Sequence, residues 1–113
     1  MEFLTSPLSG IRIIKCPVFH DDRGYFLESF NRKQWEEAGL PYEFVQDNQS
    51  LSNKGVIRGL HFQRKPHAQG KLVRVSSGKA IDVMLDLRPD SPTFGKHFSI
   101  ELDASSGVMV WIP

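Results

Sequence analysis

Apolar residues occur in short runs separated by turn residues along most of this chain. In the clearest run, residues 80–87, apolar and other positions alternate with the period of a β-strand. One face of that strand would carry Ile81, Val83, Leu85 and Leu87, and the other would carry Asp82, Met84 and Asp86. The pattern therefore predicts a β-rich protein.

The same reasoning predicts strands over residues 11–14, 24–30, 42–46, 55–63, 71–77, 79–87, 96–102 and 108–112. Only one helix is predicted. It covers residues 33–38, with Asn31 as the N-cap and Gly39 as the stop. Many short strands at regular spacing indicate a β-sandwich or a β-barrel, and the jelly roll is one member of that class. The pattern alone does not choose among them.

The last predicted strand, residues 108–112, is apolar and directly precedes Pro113. A hydrophobic strand at a sheet edge would be uncovered. We therefore expect that another chain covers it, or that the sequence is a portion of a longer protein.

Composition and charge narrow the function classes. The 113 residues suit one domain, with 40% hydrophobic and 24% charged residues. A net charge of +1 favours neither nucleic acid nor a membrane surface as a partner. The first residues do not resemble a signal peptide, and no apolar run has the length of a transmembrane helix. The single cysteine, Cys16, fits a reducing compartment, so a cytoplasmic location is predicted.

Three segments carry candidate chemistry: residues 22–30, residues 44–48, and residues 55–63 with the nearby 69–75. Basic side chains that suit phosphate are Arg23, Arg58 and Lys71, and polar side chains that suit sugar hydroxyls are Glu28, Gln46 and Asn48. His61 interrupts an apolar run, and histidine is the usual general base near neutral pH. Taken singly, each is more often an ordinary packed, turn or surface residue, so spacing alone leaves both interpretations open.

Together these segments resemble the signature blocks of the dTDP-4-dehydrorhamnose 3,5-epimerase family, in family order. The blocks are Asp22-Arg23-Gly24 with Glu28, Phe44-Val45-Gln46-Asp47-Asn48, Gly55-Val56-Ile57-Arg58-Gly59-Leu60-His61-Phe62-Gln63, Gln69-Gly70-Lys71-Leu72-Val73-Arg74, Ser91-Pro92-Thr93-Phe94-Gly95-Lys96 and Trp111-Ile112-Pro113. The Arg-Gly-Leu-His block combined with Gln-Asp-Asn makes the resemblance specific.

The resemblance implies an all-β, cupin-like jelly roll with one short helix. Residues 1–113 would form a single dTDP-sugar epimerase domain that is incomplete at its C-terminus relative to the family. The implied reaction converts dTDP-4-dehydro-6-deoxy-D-glucose to dTDP-4-dehydro-L-rhamnose, by proton abstraction at C3 and C5 next to the C4 ketone. The implied assembly is a homodimer with exchanged N-terminal strands, and no cofactor is implied.

The resemblance also assigns roles to individual residues. His61 matches the proton-abstracting base, and Lys71 matches the residue that stabilises the enolate oxygen. Positions that hold the sugar nucleotide match Arg23, Glu28, Gln46, Asp47, Asn48 and Arg58, together with Lys71. Neither Tyr25 nor Tyr42 matches the proton-donating tyrosine, which the resemblance places beyond Pro113 with the aspartate that pairs with the histidine.

A metal site is not predicted. Many cupins bind metal through a His-x-His pair, whereas this chain has His61-Phe62-Gln63, and glutamine is a poor substitute ligand. Two other interpretations of function stay open. One is a catalytically silent cupin-like module for sugar-nucleotide binding or assembly, and the other is a related ketoisomerase or 3-epimerase.

Overall fold

The computed structural model describes residues 1–113, which form eight strands and one helix. The elements are β1 (Glu2–Thr5), β2 (Arg12–Lys15), β3 (Val18–Asp21), β4 (Gly24–Leu27), α1 (Arg32–Glu37), β5 (Lys71–Val73), β6 (Lys79–Leu85), β7 (His97–Asp103) and β8 (Val108–Ile112). The prediction of an all-β chain with one short helix is confirmed. The chain divides into two compact units, residues 1–31 with 70–113, and residues 32–69.

The first unit is built on an antiparallel sheet with the strand order β1-β2-β8-β5. The expectation that residues 108–112 form an uncovered edge is wrong, because β8 lies between β2 and β5. Met109, Val110 and Trp111 are all buried there. An apolar run of five residues is typical of a central strand covered on both faces, and hydropathy alone does not say which neighbours provide the cover.

A hairpin of β6 and β7 packs against this sheet and completes the core of the first unit. Its inner face contributes Met84 and Leu102, which cluster with Leu8, Ile11 and Val110. The opposite face of β6 is solvent-exposed. That face carries the predicted apolar set Ile81, Val83 and Leu85, followed by Leu87 beyond the strand end.

Asp86 is buried directly after β6 and organises the turn that leads to β7. Its carboxylate accepts hydrogen bonds from Arg88 Nε and Nη2 at 2.9 and 2.8 Å, and from Thr93 Oγ1 at 2.7 Å. Ser91 Oγ donates to the same carboxylate. These bonds hold the pKa of Asp86 far below its usual range, with Arg88 as the largest cause.

Strands β3 and β4 form a separate two-stranded hairpin whose tip is the turn at residues 21–24. Phe19 faces Phe26 across the pair, and His20 faces Tyr25. The side chains of Phe19 and Phe26 are more than half exposed. The hairpin therefore presents aromatic rings to solvent.

The second unit, residues 32–69, begins with α1. Gly39 ends the helix with a positive φ of 67°, and the amides of Gly39 and Leu40 bond to the carbonyls of Glu36 and Trp35. This is the Schellman arrangement, which glycine favours because a Cβ disfavours positive φ. Trp35 is fully buried and meets Phe44 edge to face, with ring centroids 5.6 Å apart.

The rest of the second unit contains no strand, so the strands predicted over residues 42–46 and 55–63 are wrong. Their apolar residues remain largely exposed: Val45 by 97% and Ile57 by 92%. A strand forms only where a second backbone pairs with it, and a favourable composition does not supply that partner. Conversely, β1 and β3 were not predicted, because a run of four residues is too short for alternation to be evident.

Candidate functional site

Arg23 lies at the tip of the β3–β4 hairpin, where it is held by Asp21. The Arg23 backbone amide donates to Asp21 Oδ1 at 2.8 Å, and Arg23 Nε donates to Asp21 Oδ2 at 3.1 Å. The guanidinium lowers the pKa of Asp21. The Arg23 side chain is 90% exposed, beside the rings of Tyr25 and Phe26. The predicted anion-binding residue is therefore oriented but still open to a ligand.

Glu28 lies just beyond β4, at the opposite end of that strand from Arg23. Its charge reaches Cys16, whose thiol is buried. Burial raises the pKa of this thiol, with a smaller contribution from Glu28 in the same direction. Cys16 is therefore a packed residue, since a buried thiol with a raised pKa is unreactive.

Lys71 is the first residue of β5, and its backbone is placed by a glycine and a tryptophan. A Cβ on Gly70 would lie 2.4 Å from Cη2 of Trp111, so only glycine fits beneath this ring. Trp111 itself pairs with Leu72 in the β5–β8 ladder. Two of the signature blocks therefore meet in space, and their contact fixes where the Lys71 strand begins.

Asp82 is a residue that the sequence reasoning did not select. It lies on the inner face of β6, and its Oδ2 is buried without a hydrogen-bond partner. Burial raises the pKa of Asp82, while a hydrogen bond from the Val83 backbone and the charge of Lys71 act in the opposite direction. The alternation in residues 80–87 did indicate that Asp82 shares a face with Met84, which is the signal that could have found it.

In the second unit, three amide side chains lie together. Gln46 Nε2 donates to Asn48 Oδ1 at 3.2 Å, and Gln69 Nε2 donates to Gln46 Oε1 at 3.5 Å. Asp47, between the first two, is exposed. Gln69 was not selected from the sequence, although it belongs to a signature block. The group offers donors and acceptors of the kind that sugar hydroxyls require.

Arg58 is oriented by its own loop. Its Nε donates to Ser52 Oγ at 2.9 Å and its Nη2 donates to the Leu51 carbonyl at 3.1 Å. Three residues on, the exposed imidazole of His61 lies over Gly59, where an added Cβ would be 3.4 Å from Nδ1. Gly59 has a φ of 115°, which side chains rarely adopt, so the glycine is required by the backbone of this block.

The structure thus groups some predicted site residues and separates others. Gln46 and Asn48 are in direct contact, whereas Arg23 and Glu28 occupy opposite ends of one strand. Lys71 belongs to the first unit and His61 to the second. No group of three or more His, Cys, Asp or Glu side chains is placed to hold a metal ion. No helix is long and apolar enough to cross a membrane.

Comparison with known proteins gives these residues a context. The sequence model of the family described as dTDP-4-dehydrorhamnose 3,5-epimerase matches residues 5–113. The chain belongs to this family. The resemblance to this family that the signature blocks indicate is therefore confirmed. A curated epimerase of this name from Shigella flexneri is 50% identical over 114 residues, which cover all of this chain and 63% of the relative.

Solved structures of family members have the same fold. The dTDP-4-dehydrorhamnose 3,5-epimerase of Elizabethkingia anophelis superposes with a TM-score of 0.92 at 47% identity, over all of this chain and 62% of its own. A 3,5-epimerase from Legionella pneumophila, solved with dTDP-4-keto-L-rhamnose, gives 0.91 at 42% identity, over 99% and 60%. The cupin-like jelly roll is confirmed by these likenesses. This chain spans about three fifths of the length of the relatives.

Proposed function

We propose that the protein carrying this sequence is a dTDP-4-dehydrorhamnose 3,5-epimerase. It would convert dTDP-4-dehydro-6-deoxy-D-glucose to dTDP-4-dehydro-L-rhamnose, in the biosynthesis of dTDP-L-rhamnose. The observation that carries the proposal is the presence of His61 and Lys71 within a chain that matches the family from residue 5 to residue 113. The Legionella relative, crystallised with dTDP-4-keto-L-rhamnose, supports the class of substrate.

The chemistry begins at a carbon next to the C4 ketone. His61 removes the proton from that carbon, and the electron pair moves into an enolate whose oxygen carries the negative charge. The ammonium of Lys71 stabilises this oxygen, and a fixed donor at such a position contributes about 3–4 kcal/mol to the transition state. A general acid, which the family resemblance implies to be a tyrosine, then delivers a proton to the opposite face and inverts the centre.

Binding of the nucleotide sugar falls to the remaining predicted residues. Arg23 and Arg58 supply positive charge for the diphosphate, since a net charge of +1 provides no general field for an anion. Glu28, Gln46, Asp47 and Asn48 offer hydrogen bonds to the sugars. The lone His61-Phe62-Gln63 stretch supports a reaction that needs neither metal nor cofactor.

The proposal extends to assembly and location. A homodimer is supported by the exposed Phe19 and Phe26 on the β3–β4 hairpin and by the exposed apolar face of β6. A cytoplasmic location is supported by a single cysteine, Cys16, that forms no disulfide. The near-neutral charge gives no support for nucleic acid or membrane partners.

The decisive experiment is exchange of substrate hydrogen with deuterated water, followed by NMR at C3 and C5. In the full-length protein, His61→Asn should fold normally and lose exchange by about 10²–10⁴-fold, the usual contribution of a general base. The matched control is His67→Asn, which changes another exposed histidine of the same unit. Exchange at C3 alone would favour a 3-epimerase.

Two results would contradict the proposal. A folded His61→Asn protein that exchanges at the wild-type rate would show that His61 is not the base. A wild-type protein that binds dTDP and never exchanges either hydrogen would instead favour a silent binding module.

A further inference from the structure

Lys71 and Asp82 face the same interior space of the first unit, from two different sheets. Lys71 lies directly opposite Ile112 in the β5–β8 ladder, and Asp82 lies directly opposite Ile100 in the β6–β7 ladder. Residues directly opposite each other in a ladder project to the same side. Both isoleucines pack against the core cluster. The lysine and the aspartate therefore point inward with them.

These two side chains are the only charged ones on the inner faces of β5 to β8. The other inward positions are apolar: Val73, Met84, Phe98, Ile100, Leu102, Val108, Val110 and Ile112. The nearby Asp86, beyond the end of β6, is already bonded to Arg88, Ser91 and Thr93. No other residue of β5 to β8 offers Asp82 an opposite charge from this face. Lys15 of β2 is on the same side of its sheet as Val108, but it is exposed to solvent.

One oxygen of the Asp82 carboxylate lacks a hydrogen-bond donor. Its Oδ2 is shielded from solvent and accepts no hydrogen bond, and an unpaired buried acceptor destabilises the fold. The charge of Lys71 already acts on this carboxyl. An ammonium with three donors on the facing sheet is the partner that would satisfy it.

We propose that Asp82 is a positioning residue for Lys71, accepting a hydrogen bond from Nζ and holding the ammonium inside the β-sandwich. The inference rests on the proposed function, because it gives Lys71 its role at the enolate oxygen. A carboxylate beside the lysine balances its positive charge in an apolar interior, and it fixes the direction in which the remaining N–H groups point.

The test compares Asp82→Asn with Asp103→Asn in the full-length protein. Asp103 lies at the end of the same hairpin and pairs with Lys79 on the surface at 2.8 Å, so the control removes an equivalent carboxylate from an outward lysine. Asp82→Asn should lower kcat for deuterium exchange by roughly 10- to 100-fold, since a small displacement of a catalytic group costs that much. KM should stay nearly constant, and Asp82→Glu should restore part of the rate.

A second measurement is independent of catalysis. With aspartate labelled at Cγ, the NMR signal of Asp82 should titrate at a higher pH in Lys71→Gln than in the wild type, while Lys79→Gln, at the surface lysine paired with Asp103, leaves it in place. This measurement does not depend on whether Asp82→Asn folds.

The possible results distinguish the positioning role of Asp82 from the proposed epimerase function. An Asp82 titration that Lys71→Gln leaves unmoved overturns the positioning role, even if Asp82→Asn is inactive, because inactivity would then reflect packing alone. A wild-type protein without exchange, combined with a shifted Asp82 titration in Lys71→Gln, refutes the proposed function and retains the pairing. Equal rates for Asp82→Asn and the wild type also overturn the inference.

Discussion

Arg23 and Arg58 each enter the proposed site with a partner already in place. Asp21 holds Arg23 at an exposed hairpin tip, and Ser52 holds Arg58 within its loop. Such partners reduce the entropy lost when a guanidinium binds a diphosphate, and the carboxylate of Asp21 also competes with that diphosphate. Both arginines are therefore oriented before the ligand binds. For Arg23, the negative charge of Asp21 also weakens the attraction for the diphosphate.

Replacing either arginine by alanine should weaken dTDP binding by about tenfold or more, because a hydrogen bond between two charged groups is lost. Isothermal titration with dTDP measures the effect. Arg64→Ala, which removes an exposed arginine between two signature blocks, is the matched control and should bind as the wild type does. Unchanged affinity in both Arg23→Ala and Arg58→Ala would refute the assignment.

Asp86 provides a residue-scale prediction about stability. Its pKa lies far below that of an unfolded aspartate, about 3.9, so it stabilises the fold at every pH above roughly 4. That stabilisation is lost as the pH falls below 4 toward the folded pKa. Asp86→Asn should reduce the free energy of unfolding near neutral pH by about 1–3 kcal/mol, the usual cost of leaving buried hydrogen-bond donors without their charged acceptor.

The measurement is urea unfolding of Asp86→Asn and the wild type between pH 3 and pH 7. The difference between the two proteins should be constant above about pH 5 and narrow below pH 4. Asp90→Asn, in the same turn and exposed, should match the wild type throughout. A difference that widened in acid would contradict the linkage.

At the scale of elements, the contact between Gly70 and Trp111 joins the start of β5 to the central strand β8. Gly70→Ala should destabilise the protein by about 1–3 kcal/mol, as overpacking typically does. Trp111→Phe removes the six-membered ring of the indole, which is the part that the new methyl group would meet. In the Trp111→Phe protein, Gly70→Ala should therefore lower the stability by less. Thermal unfolding of the wild type, the two single variants and the double variant measures this coupling. Additive costs would contradict the close contact.

The strands that could be predicted are those whose pattern reflects burial by their own unit. Residues 79–87, 96–102 and 108–112 were placed within two residues of β6, β7 and β8. Residues 42–46 and 55–63 failed because their apolar side chains find no paired backbone within residues 1–113. Similarly, the composition of β8 predicted its apolar character, whereas its central position depends on pairing with the distant strand β2.

The sequence predicts some residues of the candidate site, but not how they are arranged in space. His61, Lys71 and the anion-binding residues followed from signature blocks, which carry a resemblance rather than a geometry. Asp82 and Gln69 needed the structure, because their importance lies in which side chains face them. The alternation of residues 80–87 places Asp82 on the same face as Met84, but it does not show that the carboxylate is buried without a donor.

At the scale of the molecule, the exposed aromatic hairpin predicts association. Light scattering of the full-length protein at micromolar concentration should give the mass of a dimer. Phe26→Glu should weaken the dimer by about 2 kcal/mol, roughly a 30-fold higher dissociation constant, since buried aromatic anchors contribute that much. Phe94→Glu, at an exposed ring outside the hairpin, is the control. A stable monomer for the wild type would contradict the prediction.

The central position of β8 has a consequence for synthesis of the protein. Strand β2 leaves the ribosome 96 residues before β8, its partner in the sheet. At about 5–20 residues per second, β2 therefore waits roughly 5–20 seconds with one edge open. Only the short β1–β2 ribbon is available in that interval, and a two-stranded ribbon is marginal in water. During that interval the open edge of β2 is exposed to pairing with strands of other chains, which β8 prevents once the sheet closes.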